Sequence, residues 1–591
     1  MILSDKLKLE LKKISKIHFQ IEIENPNIEI YKGEKFGHFS TSLAYEIAKK
    51  VGKKPLDTAE IIVSEFNEKS EISTNFSKIE NINGFINFYL SDEFLLESVE
   101  KELNNNTLGT GNFFENKKIL VEYTDPNPFK LFHIGHFMTN ALGESVYRLI
   151  ANQGGNAINV CYQGDVGIHI AKTIYGLLYF ISQENYTLEE FLEFKTDKTI
   201  EELGKAYVYG SKKYEDENEK LKIQDLNSLI FIISQEIPEK EGVPIYNNYN
   251  NSKFFEYEII KKIYYKGRQD SLDYFEGIYQ KLGTKFQDYF FESITGEIGT
   301  KVIKESLLFT ESEGAVIWDG KEIGHNVQVL INRYGIPTYG AKEIGLSLLK
   351  KQKYNPNISI VCTAREQEFY FKDLIEIFKQ LGFSNETIHL AHGELRLTSG
   401  KMSSRTGDVV TLDEIINQIR EHIIINFSSK KDQKFLEKIS EKIAISSLKY
   451  LILKNSIGSN IIYDPEKITD LNGNTGSYLQ YTYARCQSVL KKAGIFNFKG
   501  YGEINNIERD ILVNFSMFPE ITKKAAVDFS PSTLATYLFE TAKKFNQYYD
   551  QHKILDDKEE VRDFRLFICL TTSYILHKGL TLLGIEPLEE L

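Results

Sequence analysis

Lys130, His133 and His136, gathered in the stretch FKLFHIGH from Phe129 to His136, are the side chains whose types and spacing first point to chemistry. They follow a short apolar, β-branched run, Ile119 to Tyr123, and precede Phe137, Ala141, Val146 and Leu149, which recur at near-helical spacing. The run has the pattern of a buried parallel strand. Pro126 and Pro128 then forbid both helix and sheet ladder, and the histidines fall on the first turn of the helix that follows. A helix N-terminus presents unpaired N–H groups and a partial positive charge, so this strand, turn and helix start, carrying two imidazoles and a lysine, form a site for phosphate. Gly135, between the histidines, leaves room for a flat ring to approach the backbone. A second basic segment, GKMSSRTGD from Gly400 to Asp408, places Lys401, Met402, Ser403, Ser404 and Arg405 in a glycine-flanked loop. Either segment alone reads more readily as a surface or core feature than as a ligand site. Their order, with a strand–helix–strand unit under the first, points to a nucleotide.

The elements that must position these residues can be read outward from that unit. AINVCYQGDVG, Ala157 to Gly167, supplies a second strand, and Gly164 and Gly167 let a ligand come close to the backbone at its carboxyl end. The stretch from about 175 to 300 is rich in charge and tyrosine and reads as a helical insertion. The sheet is expected to resume with EGAVIWDG (Glu313 to Gly320), VQVLI (Val327 to Ile331) and ISIVCTAREQ (Ile358 to Gln367). Between them, Tyr339 and Glu343 stand four residues apart at a helix start and so share a face. Upstream, residues 1–105 form a small α/β domain with an opening helix and a strand over Ile17 to Ile23. Two helices, Ser40 to Val51 and Leu56 to Phe66, and a strand over Gly84 to Leu90 complete it. In that last strand Phe85, Asn87 and Tyr89 share the more polar face. A polar linker, Glu102 to Asn112, follows. Beyond 411 the pattern is helical, with stripes such as Leu479, Tyr483, Cys486 and Leu490, or Leu534, Leu538, Ala542, Phe545 and Tyr549. The expected division is 1–105, a catalytic domain at 113–410, a helical connector at 411–455 and a helical bundle at 456–591.

At 591 residues the chain exceeds one core, and about three to four domains are expected. Hydrophobic and charged fractions of 42% and 26% are those of an ordinary soluble protein. The net charge of −12 opposes binding of nucleic acid by the surface as a whole, but 71 basic residues are enough for a local patch, and the patch sets binding. Cys161, Cys362, Cys486 and Cys569 are scattered without a C-x-x-C pair, which supports neither disulfides nor a zinc site. The N-terminus is a charged amphipathic helix and no run of 18 apolar residues occurs, so a cytoplasmic protein with no membrane partner is expected.

The paired signatures resemble those of class I aminoacyl-tRNA synthetases, and over nearly the whole chain the motifs resemble arginyl-tRNA synthetase. VEYTDPNPFKLFHIGH is similar to that family's nucleotide- and arginine-binding segment, YQGDVG to its second-strand motif, and TYGAKE, AREQEFYF and GKMSSRTGDVV to its later site motifs. GSYLQYTYARCQSVLKKAG and ATYLFETAKKFNQYYDQHKIL resemble its anticodon-binding domain, and NGFINFYLS its N-terminal domain, which contacts the tRNA elbow. The resemblance implies a Rossmann-type parallel-sheet catalytic domain with a helical insertion, a small N-terminal α/β domain and a C-terminal all-α bundle. It implies ATP-dependent ligation of L-arginine to tRNA(Arg) through an arginyl-adenylate, with ATP entering as its Mg²⁺ complex, no zinc, and a monomeric enzyme. The alternative is an inactive synthetase-like protein that binds tRNA or arginine.

Lys130, His133, Gly135, His136, Lys401, Met402, Ser403, Ser404 and Arg405 would then serve ATP. Of these, Lys130, His133, His136 and Lys401 would be the cations and donors that face developing phosphate charge. Glu122 and Glu343 would hold the guanidinium, with Asn127, Tyr339 and Gln367 as neutral partners. Phe85, Asn87, Tyr478, Gln480, Tyr481 and Arg485 would meet tRNA. Three departures from the family pattern stand out: Glu343 replaces an aspartate, Asp125 a serine and Val166 a tryptophan. In addition, Ser404 occupies the place of the loop lysine found in most class I enzymes, a change that many arginyl enzymes accompany with a lysine at the position of Lys130.

Overall fold

The computed structural model describes residues 2–591 except 31–35, 184, 236–253, 398–399, 402–410, 428–431, 497, 499–503 and 557. The chain opens with α1 (Leu3–Phe19), β1 (Glu29–Ile30), β2 (Phe39–Thr41), α2 (Leu43–Val51) and α3 (Pro55–Lys69), followed by the hairpin of β3 (Phe76–Ile82) and β4 (Phe85–Leu90). The four strands form an antiparallel sheet in the order β1-β2-β4-β3, with Leu7, Leu11, Ile47, Ile62, Phe66 and Phe88 buried in its core. The strand expected over Ile17–Ile23 is absent. The apolar stripe of Leu7, Leu11 and Ile14 carries the helix on to Phe19, where Gln20 closes it in the left-handed conformation. Seven alternating residues are too few to separate a strand from a helix end. The supposed linker at Glu102 begins inside α4 (Asp92–Asn104), whose N-cap Ser91 accepts from the Phe94 N–H at 3.2 Å.

The catalytic region follows as β5 (Lys118–Glu122), α5 (Ile134–Asn152) and β6 (Asn156–Gln163), then the helices α6 (Ile168–Ser182), α7 (Leu188–Glu193), α8 (Thr196–Lys213), α9 (Glu217–Ser234) and α10 (Tyr257–Leu282). The insertion ends sooner than expected. β7 (Asp288–Phe291) returns to the main sheet and α11 (Glu292–Glu305) packs beside it. Next come β8 (Thr310–Ser312), β9 (Ala315–Asp319), β10 (Val327–Ile331), α12 (Tyr339–Tyr354), β11 (Ile358–Ala364), α13 (Glu368–Gln380) and β12 (Glu386–His392). The main sheet is parallel throughout, in the order β12-β11-β5-β6-β7. β8, β9 and β10 do not join it, as had been expected of the last two, but make a separate antiparallel sheet. The reason is the connection. Gly320 to Asn326 is far shorter than the dozen or more residues that a parallel crossover needs.

β13 (Leu395–Leu397), β14 (Gly400–Lys401) and β15 (Ile461–Tyr463) form a third small sheet, which ties the start of the expected bundle back to the catalytic region. The rest is helical: α14 (Leu412–Phe427), α15 (Gln433–Leu453), α16 (Gly476–Ala493), α17 (Asn506–Ser516), α18 (Phe518–Val527), α19 (Pro531–Gln551) and α20 (Glu559–Leu582). α5 lies between the two large parts, packing on β5, β6 and β11 with one face and on α15, α18, α19 and α20 with the other. No helix among the described residues is long and apolar enough to cross a membrane.

Candidate active site

His133 is the N-cap of α5 and orders the helix start itself. Its Nδ1 accepts from the Gly135 N–H at 3.1 Å, its own N–H donates to His136 Nδ1 at 3.4 Å, and the two rings stack with centroids 3.7 Å apart. A Cβ on Gly135 would stand 2.9 Å from the His133 ring, so the space left by the glycine is filled by this imidazole. Burial, with Lys130 nearby, lowers His133 to about 4; burial, then His133 and Lys130, lowers His136 well below its ordinary value. Both rings are therefore neutral at neutral pH and offer hydrogen bonds rather than positive charge, which corrects their expected role as cations. Lys130 Nζ lies 5.0 Å over the ring of Tyr207 on α8. The chain emerging from the second basic segment returns to this point, with Thr411 bridged to His133 and Leu412 N–H donating to the Phe132 carbonyl at 3.4 Å. Lys401 is in β14, opposite Arg396. Met402, Ser403, Ser404 and Arg405 lie outside the described residues.

The second half of the site lies at the carboxyl ends of β5, β6 and β11, where ligands of open parallel sheets bind. Beyond β5 the backbone turns through Thr124 at φ +82° and Asp125 at φ +45°, a conformation that costs non-glycine residues of order 1–3 kcal/mol and persists only under outside constraint. The constraint is visible: Asp125 Oδ1 accepts from the Tyr162 N–H at 2.7 Å. Asp125 is thus tied to β6 among the pocket acids instead of facing phosphate. Burial, and then the charge of Glu122, holds its carboxyl well above the ordinary carboxylate range. Glu122 is 1% exposed, and one of its oxygens lies 2.5 Å from Lys350 Nζ, an ion pair without an aligned hydrogen bond.

Lys350 belongs to α12, as do Tyr339, Lys342 and Glu343. Burial, then Glu122, pushes Glu343 up to about 8. Lys342 is paired with Glu292 at the start of α11, and its Nζ lies 5.4 Å over the Tyr339 ring, which is 64% exposed. Asn127 lies across from Gly164, where a Cβ would come 2.2 Å from Asn127 Oδ1 and 3.3 Å from Glu292 Oε1. That close approach is why the second strand ends in glycine. Gln367 is exposed on the turn that leaves β11. Four carboxylates, Glu122, Asp125, Glu292 and Glu343, thus face two lysines, and each lysine neutralises one of them. Lys342, Lys350 and Glu292 escaped sequence reasoning. The spacing from Glu343 to Lys350, two turns of one helix face, was the available signal.

The Asp165 of Gly-Asp-Val-Gly is spent on structure. Its carboxylate accepts from Arg268 Nε at 2.9 Å, from the Ser293 N–H at 2.8 Å and from Ser293 Oγ at 2.8 Å, joining the insertion to α11. Among the residues expected to meet tRNA, Phe85 is 42% exposed, Tyr478 is half-buried, and Tyr481 stacks with Arg485, whose guanidinium lies 4.8 Å and 4.7 Å from the rings of Tyr481 and Tyr549. A cavity of about 1060 Å³ opens beside this stack. Two expectations fail. Asn87 is 2% exposed, inside the sheet between Ser40 of β2 and Glu80 of β3. Gln480 is fully buried, donating to Ser446 Oγ and the Glu586 carbonyl and accepting from the Leu588 N–H, so it anchors the C-terminal segment. No group of three or more His, Cys, Asp or Glu among the described residues is placed to hold a metal ion.

Three family models match the chain in succession: the arginyl tRNA synthetase N-terminal domain at residues 1–90, the class I tRNA synthetase (R) catalytic domain at 98–464, and the DALR anticodon-binding domain at 479–591. Arginine–tRNA ligase of Clostridium acetobutylicum is 28% identical, covering 99% of this chain and 100% of its own. That of Halothermothrix orenii is also 28% identical, with 90% of each chain covered. The solved structure of Thermus thermophilus arginyl-tRNA synthetase superposes over 100% of both chains with a TM-score of 0.77 at 19% identity, a likeness of fold. The catalytic-domain model takes in more than half of the 591 residues, and on that footing the chain belongs to the class I arginyl-tRNA synthetases.

Proposed function

We infer that this protein ligates L-arginine to tRNA(Arg) using ATP, through an arginyl-adenylate. The observation that carries this reading is the meeting of a phosphate-binding helix start, at His133, with an acid-lined pocket at Glu122, Asp125, Glu292 and Glu343. In the first step a carboxylate oxygen of arginine attacks the α-phosphorus of ATP in line, and pyrophosphate leaves. The protein's contribution is position and electrostatics, not a nucleophile. Neutral His133 and His136 and the open N–H groups of α5 donate to phosphoryl oxygens. Lys130, released from Tyr207, supplies the charge that Ser404 lacks, and Lys401 and Arg405 orient the pyrophosphate. Mg²⁺ enters with the nucleotide.

The guanidinium is held by the carboxylates that Lys342 and Lys350 leave unneutralised, Glu343 foremost, with Glu122 lining the same pocket and Asn127, Tyr339 and Gln367 donating or accepting around it. In the second step the terminal ribose hydroxyl of tRNA attacks the activated carbonyl and AMP leaves. Phe85 reads the elbow, and Tyr478, Tyr481 and Arg485 read the anticodon, as a stacked arginine–aromatic platform does for unpaired bases. The enzyme acts as a monomer in the cytoplasm, where its substrates are.

Charging purified tRNA with each common amino acid tests the activity; only arginine should be transferred. Citrulline is the sharper probe, because its neutral ureido group leaves a buried carboxylate unpaired. Such sites reject the deficient analogue by about 10⁴ or more. Comparable kcat/KM for arginine and citrulline would remove the carboxylates from the recognition of the guanidinium.

A further inference from the structure

The far end of α5, remote from its histidines, is the meeting point of two other helix ends. A helix leaves its last carbonyls without partners of its own, and α10 and α20 both finish against α5. Arg148, on α5, donates from Nη1 to the Thr581 carbonyl and from Nη2 to the Gly283 carbonyl, each at 2.9 Å. Ser145 Oγ donates to the Leu582 carbonyl at 3.0 Å. Lys449, on α15 and buried, donates to the Leu282 carbonyl at 2.5 Å and the Gly584 carbonyl at 2.6 Å. Two cations thus hold the negative ends of two helix dipoles, beside a cavity of about 340 Å³ lined in part by Arg148, Lys442 and Lys449.

The acid that balances Arg148 also faces the catalytic sheet. Glu144 Oε1 accepts from Arg148 Nε at 2.7 Å, and Oε2 accepts from the Tyr123 hydroxyl at 2.6 Å. Tyr123 is the residue after Glu122. Its ring is wholly buried, lies 4.8 Å from that of Phe286, and presses so closely on α5 that a Cβ at Gly143 would come within 2.2 Å of it. Asn159 donates to the same hydroxyl at 3.0 Å. Direct contacts therefore run without a gap from the last turn of α20, through Arg148, Glu144 and Tyr123, to the residue that lines the pocket. Tyr123 and Glu144 are buried and Arg148 is partly so, and a polar network in which each buried member is satisfied by the next does not deform gradually, since a shift leaves a buried polar group unpaired.

We propose that Glu144 is a positioning residue for the arginine pocket: by gripping Arg148 with one oxygen and Tyr123 with the other, it sets the end of β5 according to how the C-terminal helix is seated. Recognition of arginine then depends on the docking of the domain that α20 closes. The proposal rests on the reading of the protein as an arginine–tRNA ligase. The hydrogen bonds of Tyr123, Glu144 and Arg148 involve none of Lys130, His133 and His136, so the dependence is selective.

The test uses arginylation kinetics of the full chain. Tyr123→Phe removes one hydroxyl and no packing, and Arg148→Met removes the link to α20. Each should raise the arginine KM about five- to tenfold and leave the ATP KM unchanged. The double variant should be no worse than the poorer single one, because the two act in series. Arg148→Lys should recover part of the loss. An arginine KM within twofold of wild type in Tyr123→Phe would overturn the proposal, as would effects that multiply in the double variant or a joint rise of both KM values. Should Arg148→Met fail to fold, Glu144→Gln, which keeps the volume, takes its place in the same cycle. Arginylation by the wild-type chain in that assay separately checks the activity, so a failure of the function and a failure of the coupling give different results.

Discussion

Burial, and then Glu122, pushes the Glu343 carboxyl from its ordinary 4.5 up to about 8, which favours its protonated form near neutral pH. A guanidinium needs the carboxylate, so arginine binding must expel that proton. The sign follows: kcat/KM for arginine should rise with pH, by about tenfold per unit at the steepest, and level off above about 8. Glu343→Gln should abolish that limb, and a flat wild-type profile between pH 6.5 and 9 would show that Glu343 is ionised throughout. Removing a preorganised donor of developing charge costs about 10² to 10³ in rate. Lys130→Ala should therefore lower kcat by that order with little change in arginine KM, and Ser404→Lys should restore it; activity within a few-fold of wild type would remove Lys130 from the chemistry. His133, His136 and Asn127 were legible in the sequence because they sit on one continuous strand, turn and helix start. Lys350 was less so: among Lys350, Lys351 and Lys353 only its seven-residue spacing from Glu343 marks the ammonium that turns inward.

Asp165 carries the junction between the sheet and the insertion. It is the buried partner of Arg268, and Tyr264 on the same helix donates to its backbone carbonyl at 3.0 Å. Breaking a buried ion pair from one side costs about 3–5 kcal/mol, so Asp165→Ala should lower the urea midpoint sharply, while a surface change such as Lys198→Ala should leave it nearly unmoved. A small shift for Asp165→Ala would mean that the insertion is held by its apolar contacts alone. The strand and helix of the nucleotide-binding unit could be placed from periodicity, but β7 could not. Its four residues, Asp288–Phe291, continue the aromatic composition of the insertion, and only pairing with β6 identifies them. The β8–β10 sheet was misplaced because apolar runs show that a strand is buried, not which sheet buries it.

At the scale of the molecule, the first unit is bound to the last. Ser4 donates from its N–H and hydroxyl to Glu520 at 2.9 Å and 2.6 Å, Lys523 pairs with Asp5 at 2.6 Å, and Arg509 pairs with Asp92 at 2.8 Å. Deleting residues 1–105 would uncover the α4–α17 contact along with any tRNA surface, so single exposed side chains make the cleaner test. Loss of one base-stacking side chain is worth about 1–3 kcal/mol. Phe85→Ala and Tyr481→Ala should each raise the tRNA KM by roughly 10-fold, leaving that for ATP alone, and tRNA affinity should fall steeply with salt. Salt-insensitive binding would contradict a basic patch on a chain of net charge −12. The α/β start, the parallel-sheet region and the helical end of the chain could be read from sequence, but their docking could not, because apolar periodicity does not say which buried face meets which and the polar pairs at the seam have no periodicity.

Those pairs also bear on how the chain is made. Ser4 and Glu520 are 516 positions apart, which at a synthesis rate of about 5–20 residues per second is a delay of roughly 25 to 100 s. For that long the finished N-terminal unit must stand on the ribosome with its docking face in water. Ser4, Asp5 and Asp92 keep the rim of that seam hydrated while it waits, around the apolar contacts of α4 that would otherwise invite aggregation.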